Sequence, residues 1–241
     1  MAAETTTITF KPIGFVKCLA KNKYDVARQG VYGKNNKAII KLDPKLNIPQ
    51  ATEHLSGFSH IWVIFCFHKN NHWNPMVSPP TLEGKKVGVF ASRSPYRPNP
   101  IGISAVRLLK ITGTEIWVEN HDFVDGTPVL DIKPYVTTSD VFPKAKMGWL
   151  KSQAKPKKVV IQKTVLNQLS KKPLIKEFVV RNLERNLKSK SKRIAWTNLT
   201  QGVLAYRYLR FTFQVLPKSV RVIDLKQSNN HADGEINSLI L

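Results

Sequence analysis

The chain has 241 residues, 42% of them hydrophobic, enough for a sizeable core and too many for wholesale disorder. Thirty-eight Lys and Arg against sixteen Asp and Glu leave a formal charge of +22, a field that attracts polyanions, of which nucleic acid is the commonest in a cell. No basic-then-apolar leader is seen, and the longest apolar run, "IWVIFCF" at 61–67, is far too short to span a bilayer. Cys18 and Cys66 lie in apolar runs without metal-knuckle spacing and read as buried free thiols. A cytoplasmic protein with no membrane partner is expected.

Residues 1–150 hold 19 basic and 11 acidic side chains. They read as short strands divided by turn residues: "ITFKPIGFVKC", "KAIIKLD", "HIWVIFCFH", "KVGVFAS", "ISAVRLLKITG", "EIWVENHD" and "VLDIKPY". So many strands, with one helical turn at 48–57 among them, predict a barrel rather than a parallel α/β sheet. "KSQAKPKK" (151–158) is a connector. It separates a domain at 1–150 from a smaller part at 151–241, where 19 basic residues face 5 acids. There, "KVVIQKTVLNQLSK" starts as a strand and turns helical. Apolar residues 175, 178, 179, 183 and 187, with Pro173 near the first position, predict a helix over 173–188. Residues 203–225 read as a hairpin turning at Leu216–Ser219. The expected fold class is mainly β: a β-barrel with a smaller α+β C-terminal part.

Four polar clusters interrupt the strands. "VARQG" (26–30) sets Arg28 and Gln29 before a glycine, and "FHKNNHW" (67–73) puts His68 and Lys69 at a strand end. His68 and His72 lack a third ligand at a sensible spacing, so no metal site is expected. In "SRSPYRPNPIGIS" (92–104) Pro95, Pro98 and Pro100 each fix φ, which yields a stiff backbone holding Arg93 and Arg97 on preset vectors. Such preorganisation suits a binding site, because less entropy is lost when a ligand arrives. "HDFVDGTPVLDIKPY" (121–135) brings Asp122, Asp125 and Asp131 within ten residues, too few alternating oxygens for a calcium loop. Taken singly, each cluster is also what a plain surface turn looks like. There is no P-loop, no dinucleotide fingerprint and no nucleophile elbow. The clusters point to a pocket for a charged, nucleotide-like ligand.

Together and in order, "KPIG", "ARQG", "LSGFSHIWVIFCFHK", "KVGVFASRSPYRPNPIGIS" and "HDFVDGTPVLDIKPY" resemble the successive motifs of the TsaA-like (TrmO, formerly YaeB) family, over residues 8 to about 140. The resemblance implies a β-barrel, S-adenosylmethionine as cofactor, a homodimer, and methylation of N6 of threonylcarbamoyl-adenosine beside the anticodon of tRNA. Carried over motif by motif, the cofactor contacts would be Ala27, Arg28, Gln29, His68, Lys69, Arg93, Ile103, Asp122, Phe123, Val124 and Asp125. Asp122 and Asp125 are the candidates for orienting the ribose or for acting as base, and the residue types leave those roles open. The family's Asp-Pro-Arg-Pro stretch is missing; the corresponding "NLERNLKSKSKRIAW" (182–196) is basic without it. A methyltransferase for another RNA position or small nucleotide-like substrate, or a non-catalytic RNA-binding module with a vestigial pocket, are the alternatives. For tRNA docking, the helix would leave Lys176, Arg181, Arg185 and Lys188 to solvent or phosphate, followed by a basic arm with Lys190, Lys192 and Arg193.

Overall fold

Alternating apolar residues build six strands that close on themselves. The computed structural model describes residues 7–23, 25–27, 29–30, 36–79, 82, 85–152, 156–184, 187 and 194–228. The chain divides into two compact units: Met1–Pro75 with Arg93–Lys144, and Met76–Ser92 with Ala145–Leu241. In the first unit run β1 (Gly14–Cys18), β2 (Lys37–Leu42) and β3 (His60–Cys66). The chain then crosses into the second unit for a short pair, β4 (Met76–Val77) and β5 (Val87–Gly88). It returns for β6 (Ile101–Thr112), β7 (Glu115–Glu119) and β8 (Pro128–Pro134). The barrel order is β1-β2-β7-β6-β3-β8, antiparallel throughout, and it is closed by Gly14 opposite Val129 and Phe15 opposite Pro128.

The inward residues form one core, with Ile40, Ile61, Val63, Val106, Ile116, Val118 and Val129 out of contact with water. Each such side chain contributes about 1.5–3 kcal/mol of burial. A one-residue slip would turn this set outward, so the core fixes the register and the register aims the loops. Gly102 sits among these positions because a Cβ there would meet the Phe65 ring at 2.4 Å.

The second unit is a five-stranded sheet, ordered β10-β11-β12-β13-β9. Its strands are β9 (Lys158–Ile161), β10 (Ile194–Trp196), β11 (Gln201–Tyr206), β12 (Leu209–Val215) and β13 (Ser219–Gln227). Two helices, Lys163–Gln168 and Pro173–Leu183, pack one face through Val165, Leu169, Phe178, Val179 and Leu183 against Leu204, Phe211, Phe213, Val220 and Val222.

Several expectations are corrected. "KVGVFAS" is no barrel strand: two residues pair as β5, then a 3-10 turn follows at Val89–Ala91, with Phe90 exposed. The segment pairs with β4 alone and belongs to the second unit, away from the barrel ladder. The helix stops at Leu183, and the Glu184 carbonyl beyond it accepts the Lys157 amide at 2.6 Å. Residues 203–225 lie in three strands, not two. An extra two-residue turn at Arg207–Tyr208 puts Arg207 at φ 51, where neither residue carries the Asn-Gly signal of such turns. The unit boundary falls at Lys144/Ala145, and the segment 76–92 belongs with the C-terminal unit. Both cysteines are free and half-buried rather than buried.

Candidate functional site

The antiparallel register sends four loops out of one end of the barrel. β1 ends where β2 begins, with Cys18 opposite Ala38. β7 ends on the same side, with Glu119 opposite both Lys37 and Arg107. β3 ends there too, Cys66 lying opposite Ile101 at the start of β6. The loops after β1, after β3, before β6 and after β7 therefore share that end, and they carry all four polar clusters.

The proline-rich loop is anchored at both ends. The Pro100 carbonyl accepts the Phe67 amide at 2.7 Å, and the Tyr96 carbonyl accepts the Asn74 amide at 3.2 Å. Tyr96 also lies 5.0 Å from His72, ring to ring. From this loop Arg93 donates to Gln29 Oε1 at 3.4 Å. Beside it, Ser104 Oγ donates to Asp122 Oδ1 at 2.6 Å. Ser104 is an inward β6 position, 7% exposed. Burial pushes the Asp122 carboxyl above the ordinary carboxylate range; the Ser104 hydroxyl, the residue's own amide and the Arg93 charge pull the other way.

Asp125 is placed differently. Its Oδ2 takes the Lys21 ammonium at 2.5 Å and its Oδ1 the Cys18 amide at 2.9 Å, which together hold its carboxyl below the usual range. The Lys21 carbonyl in turn accepts Lys69 Nζ at 2.5 Å, and Lys23 Nζ donates to Asn70 Oδ1 at 2.5 Å, tying the β1 and β3 loops together. Burial lowers the His68 ring below its usual value, with the Lys69 charge adding to the effect. Burial pushes the Cys18 thiol up to about 11, so it stays protonated.

His121 fixes the loop after β7. Its ring is 2% exposed and its pKa is lowered by burial to about 4, so it is neutral near pH 7. Nδ1 accepts the Phe123 amide at 3.1 Å, and the ring stacks on Phe123 at 5.4 Å. Asn36 brackets its backbone, accepting the His121 amide at 3.0 Å and donating to its carbonyl at 2.6 Å. Asn120 takes φ 62 to make the turn, and a Cβ on Gly30 would meet its carbonyl oxygen at 2.2 Å. Glycine is required there for the β1 loop to lie against this one.

The structure thus brings together Gln29, Arg93 and Asp122 as one node, and Lys69 and Asp125 as another. Ala27 and Phe123 are buried, Phe123 edge-on to Phe65 at 5.0 Å, and they shape the site from behind. Val124 is half-buried between the two aspartates in sequence. Ile103 does not join: its side chain is 58% exposed on the barrel's outer face, opposite in parity to Ser104. Arg28 lies outside the described residues. In the second unit Lys176 is exposed, but Arg181 is not available as expected: its side chain is 12% exposed and pairs with Glu177 at 3.5 Å. Arg185, Lys188, Lys190, Lys192 and Arg193 lie outside the described residues. Sequence reasoning missed Ser104, Lys21 and His121. A lone hydroxyl at an inward strand position was the available signal for Ser104, since buried polar groups need partners. Lys21 carried none. Among the described residues no three His, Cys, Asp or Glu side chains form a metal-holding group.

Residues 15–141 match the family model described as tRNA-methyltransferase O N-terminal domain. A mouse relative named tRNA (adenine(37)-N6)-methyltransferase is 41% identical over 145 residues, 58% of this chain and 33% of the relative. The match therefore spans about a third of that relative's length. A Pyrococcus abyssi protein named probable S-adenosyl-L-methionine-binding protein is 39% identical over 143 residues, covering 59% of this chain and 76% of that protein. The crystal structure of TrmO from Pseudomonas aeruginosa superposes with a TM-score of 0.64 at 26% identity, over 92% of this chain and 100% of that one.

Proposed function

The chain belongs to the family of the tRNA-methyltransferase O N-terminal domain, and on that premise we propose that it is an S-adenosylmethionine-dependent methyltransferase acting on N6 of threonylcarbamoyl-adenosine beside the tRNA anticodon. The observation that carries this reading is the convergence of Arg93, Gln29 and the Ser104–Asp122 pair at one barrel end. That set fits the cofactor and its reaction: a guanidinium for the cofactor's carboxylate, an amide for its amine or ribose hydroxyls, and a buried carboxylate turned to the acceptor's proton. The close backbone approach at Gly30 gives the set a firm wall.

When bound, the cofactor supplies a methyl group on a sulfonium whose leaving group departs neutral, so no acid is needed. Alignment and exclusion of water are the chain's main tasks, and the anchored proline loop serves both. The acceptor nitrogen is urea-like, its lone pair delocalised, and a base that takes its proton helps. Asp122 is the base in this reading, because burial raises its proton affinity while Ser104 holds one oxygen. Asp125, committed to Lys21 and the Cys18 amide, keeps the loop after β7 in place.

The barrel unit holds the cofactor and the basic C-terminal unit docks the tRNA. A homodimer belongs to the same reading, supported by Phe15, Ile101 and Ile103 exposed on the barrel's outer face; so does a cytoplasmic setting, supported by two free thiols. The missing Asp-Pro-Arg-Pro stretch favours one second reading, a different methyl acceptor on RNA. Mass spectrometry of nucleosides from tRNA of cells lacking the protein decides between them. Loss of N6-methylated threonylcarbamoyl-adenosine is expected; loss of another methylated nucleoside instead would establish the second reading, and an unchanged profile would remove both.

A further inference from the structure

Strand pairing in the second unit sorts its charges by face. Val159, Ile161, Val220, Val222, Phe211 and Phe213 point toward the helices. Side chains alternate along each strand, so their neighbours point the other way. The register aligns Gln201, Gln214, Arg221 and Val160 in one row across β11, β12, β13 and β9, with Lys158 opposite Ser219 in the next. Lys218 precedes Ser219 in the turn that opens β13. Lys158, Gln214, Lys218 and Arg221 are all exposed. Both described glutamates of this unit, Glu177 and Glu184, belong to the helical side. Asp224, the acid on the helix-free face, is matched to Lys226 at 3.8 Å. Among the described residues Lys158, Lys218 and Arg221 have no ion-pair partner.

We infer that the helix-free corner formed by Lys158, Lys218 and Arg221, with Gln214 beside them, is the surface on which the sugar-phosphate backbone of tRNA docks. The inference rests on the proposed tRNA substrate and moves the docking site from the helix to the sheet. Three unpaired cations and an amide suit phosphate oxygens, which accept from both. Within the row of Gln201, Gln214, Arg221 and Val160, Val160 at 39% exposure is the apolar member, and three charged side chains around it suit a polyanion better than the charge-depleted centre of a protein interface. Arg210, on the same face, is held by its Nη1 to the Arg207 carbonyl at 2.7 Å and is not counted in the corner. The set contacts phosphate without reading bases, so it gives register and affinity and leaves base selection to the barrel.

The test is tRNA binding across a salt series, with full-length protein carrying Lys158→Ala, Lys218→Ala and Arg221→Ala together. The matched control removes equal charge on the helical side, as Lys163→Ala, Lys171→Ala and Lys172→Ala. The corner variant should bind about tenfold or more weakly at low salt, and its slope of log affinity on log salt should fall by about two to three units, roughly one per lost phosphate contact. The control should keep the parent's slope. Equal losses in both variants would reduce the effect to the overall field and overturn the docking corner, as would parental binding by the corner variant. Loss of affinity for phosphatidylserine vesicles without loss for tRNA would assign the corner to lipid and overturn it too. A parent that binds tRNA through this corner yet methylates none would sustain the inference and sink the proposed activity.

Discussion

The barrel gathers the polar side chains of its loops at one end and engages them with one another; the second sheet spreads cations over a face and leaves three without an ion-pair partner among the described residues. In the barrel, Asp122 has Ser104, Asp125 has Lys21 and the Cys18 amide, and Arg93 has Gln29. Such groups are preorganised with their geometry fixed, and the proton affinities of the two aspartates are tuned, by burial at Asp122 and by hydrogen bonding at Asp125. Lys158, Lys218 and Arg221 lie exposed to water, where their fields act at a distance and are weakened by salt. One arrangement suits a small ligand whose atoms must be aligned, the other a long polyanion that must be caught. The two aspartates repeat the contrast within the barrel, one raised and one lowered in proton affinity by surroundings a few residues apart.

The largest effect separates those aspartates. Asp122→Asn should cut turnover by about 10²–10⁴-fold, as loss of a general base does, while calorimetry finds cofactor affinity changed only a few-fold. Stability should move the opposite way. The folded pKa of Asp122 lies above its ordinary value, so its ionised form destabilises the native state at every pH above that folded value. The penalty disappears as pH falls toward 3.8. The asparagine variant should therefore melt above the parent at neutral pH, with the gap closing in acid. An unchanged turnover would end the role of Asp122 as base.

A middle-sized effect sharpens the comparison of the two sheets. Each uses a glycine to let a phenylalanine ring lie across a strand. A Cβ on Gly102 would come within 2.4–2.9 Å of three Phe65 ring atoms, whereas one on Gly202 would meet Phe213 and the Ala195 carbonyl at 2.9 Å. Phe65 is further wedged against Phe67 and Phe123. Denaturant melts should give about 1–3 kcal/mol of destabilisation for Gly102→Ala and less for Gly202→Ala. The reverse order would make the open sheet the tighter of the two.

The smallest effect belongs to Asp125. Its partner Lys21 is more than half exposed, so solvent screens the pair and Asp125→Asn should cost only about 1 kcal/mol. Asp125 has a lowered folded pKa, and its contribution is present above the ordinary carboxylate value and lost as pH falls through the folded one. The melting deficit of the variant should thus shrink in acid, while turnover stays near the parent's. A collapse of turnover with intact cofactor binding would exchange the roles assigned to the two aspartates.

The barrel strands could be read from sequence because alternation of apolar and polar residues is itself what closes a sheet over a core. The clustering of loops at one end followed less directly, since it depends on register, which Gly14, Val129 and the rest set by pairing across the chain. The third strand of 203–225 was hidden because Arg207 and Tyr208 turn the chain without glycine or asparagine. The difference between Asp122 and Asp125 had no local signature either: the partners that set it, Ser104, Lys21 and Cys18, lie 18 to 107 residues away. Arg181 reads as solvent-facing on a helical wheel, yet the helix packs closely enough to leave its side chain 12% exposed and paired with Glu177.

The barrel's closure rests on two residue pairs between β1 and β8, which join positions more than a hundred residues apart. Contacts so distant in the chain are expected to form late, after the loop-closure entropy of what lies between them has been overcome, with this seam completing the barrel. The loops after β1 and after β7 flank it, and they hold Gln29, Lys21, Asp122 and Asp125. A ligand spanning those loops binds only once the seam has formed, and it then resists opening without hastening closure. The proposed cofactor site would in this sense be the latch of the barrel, its occupancy expected to lengthen the life of the fold more than to speed its formation.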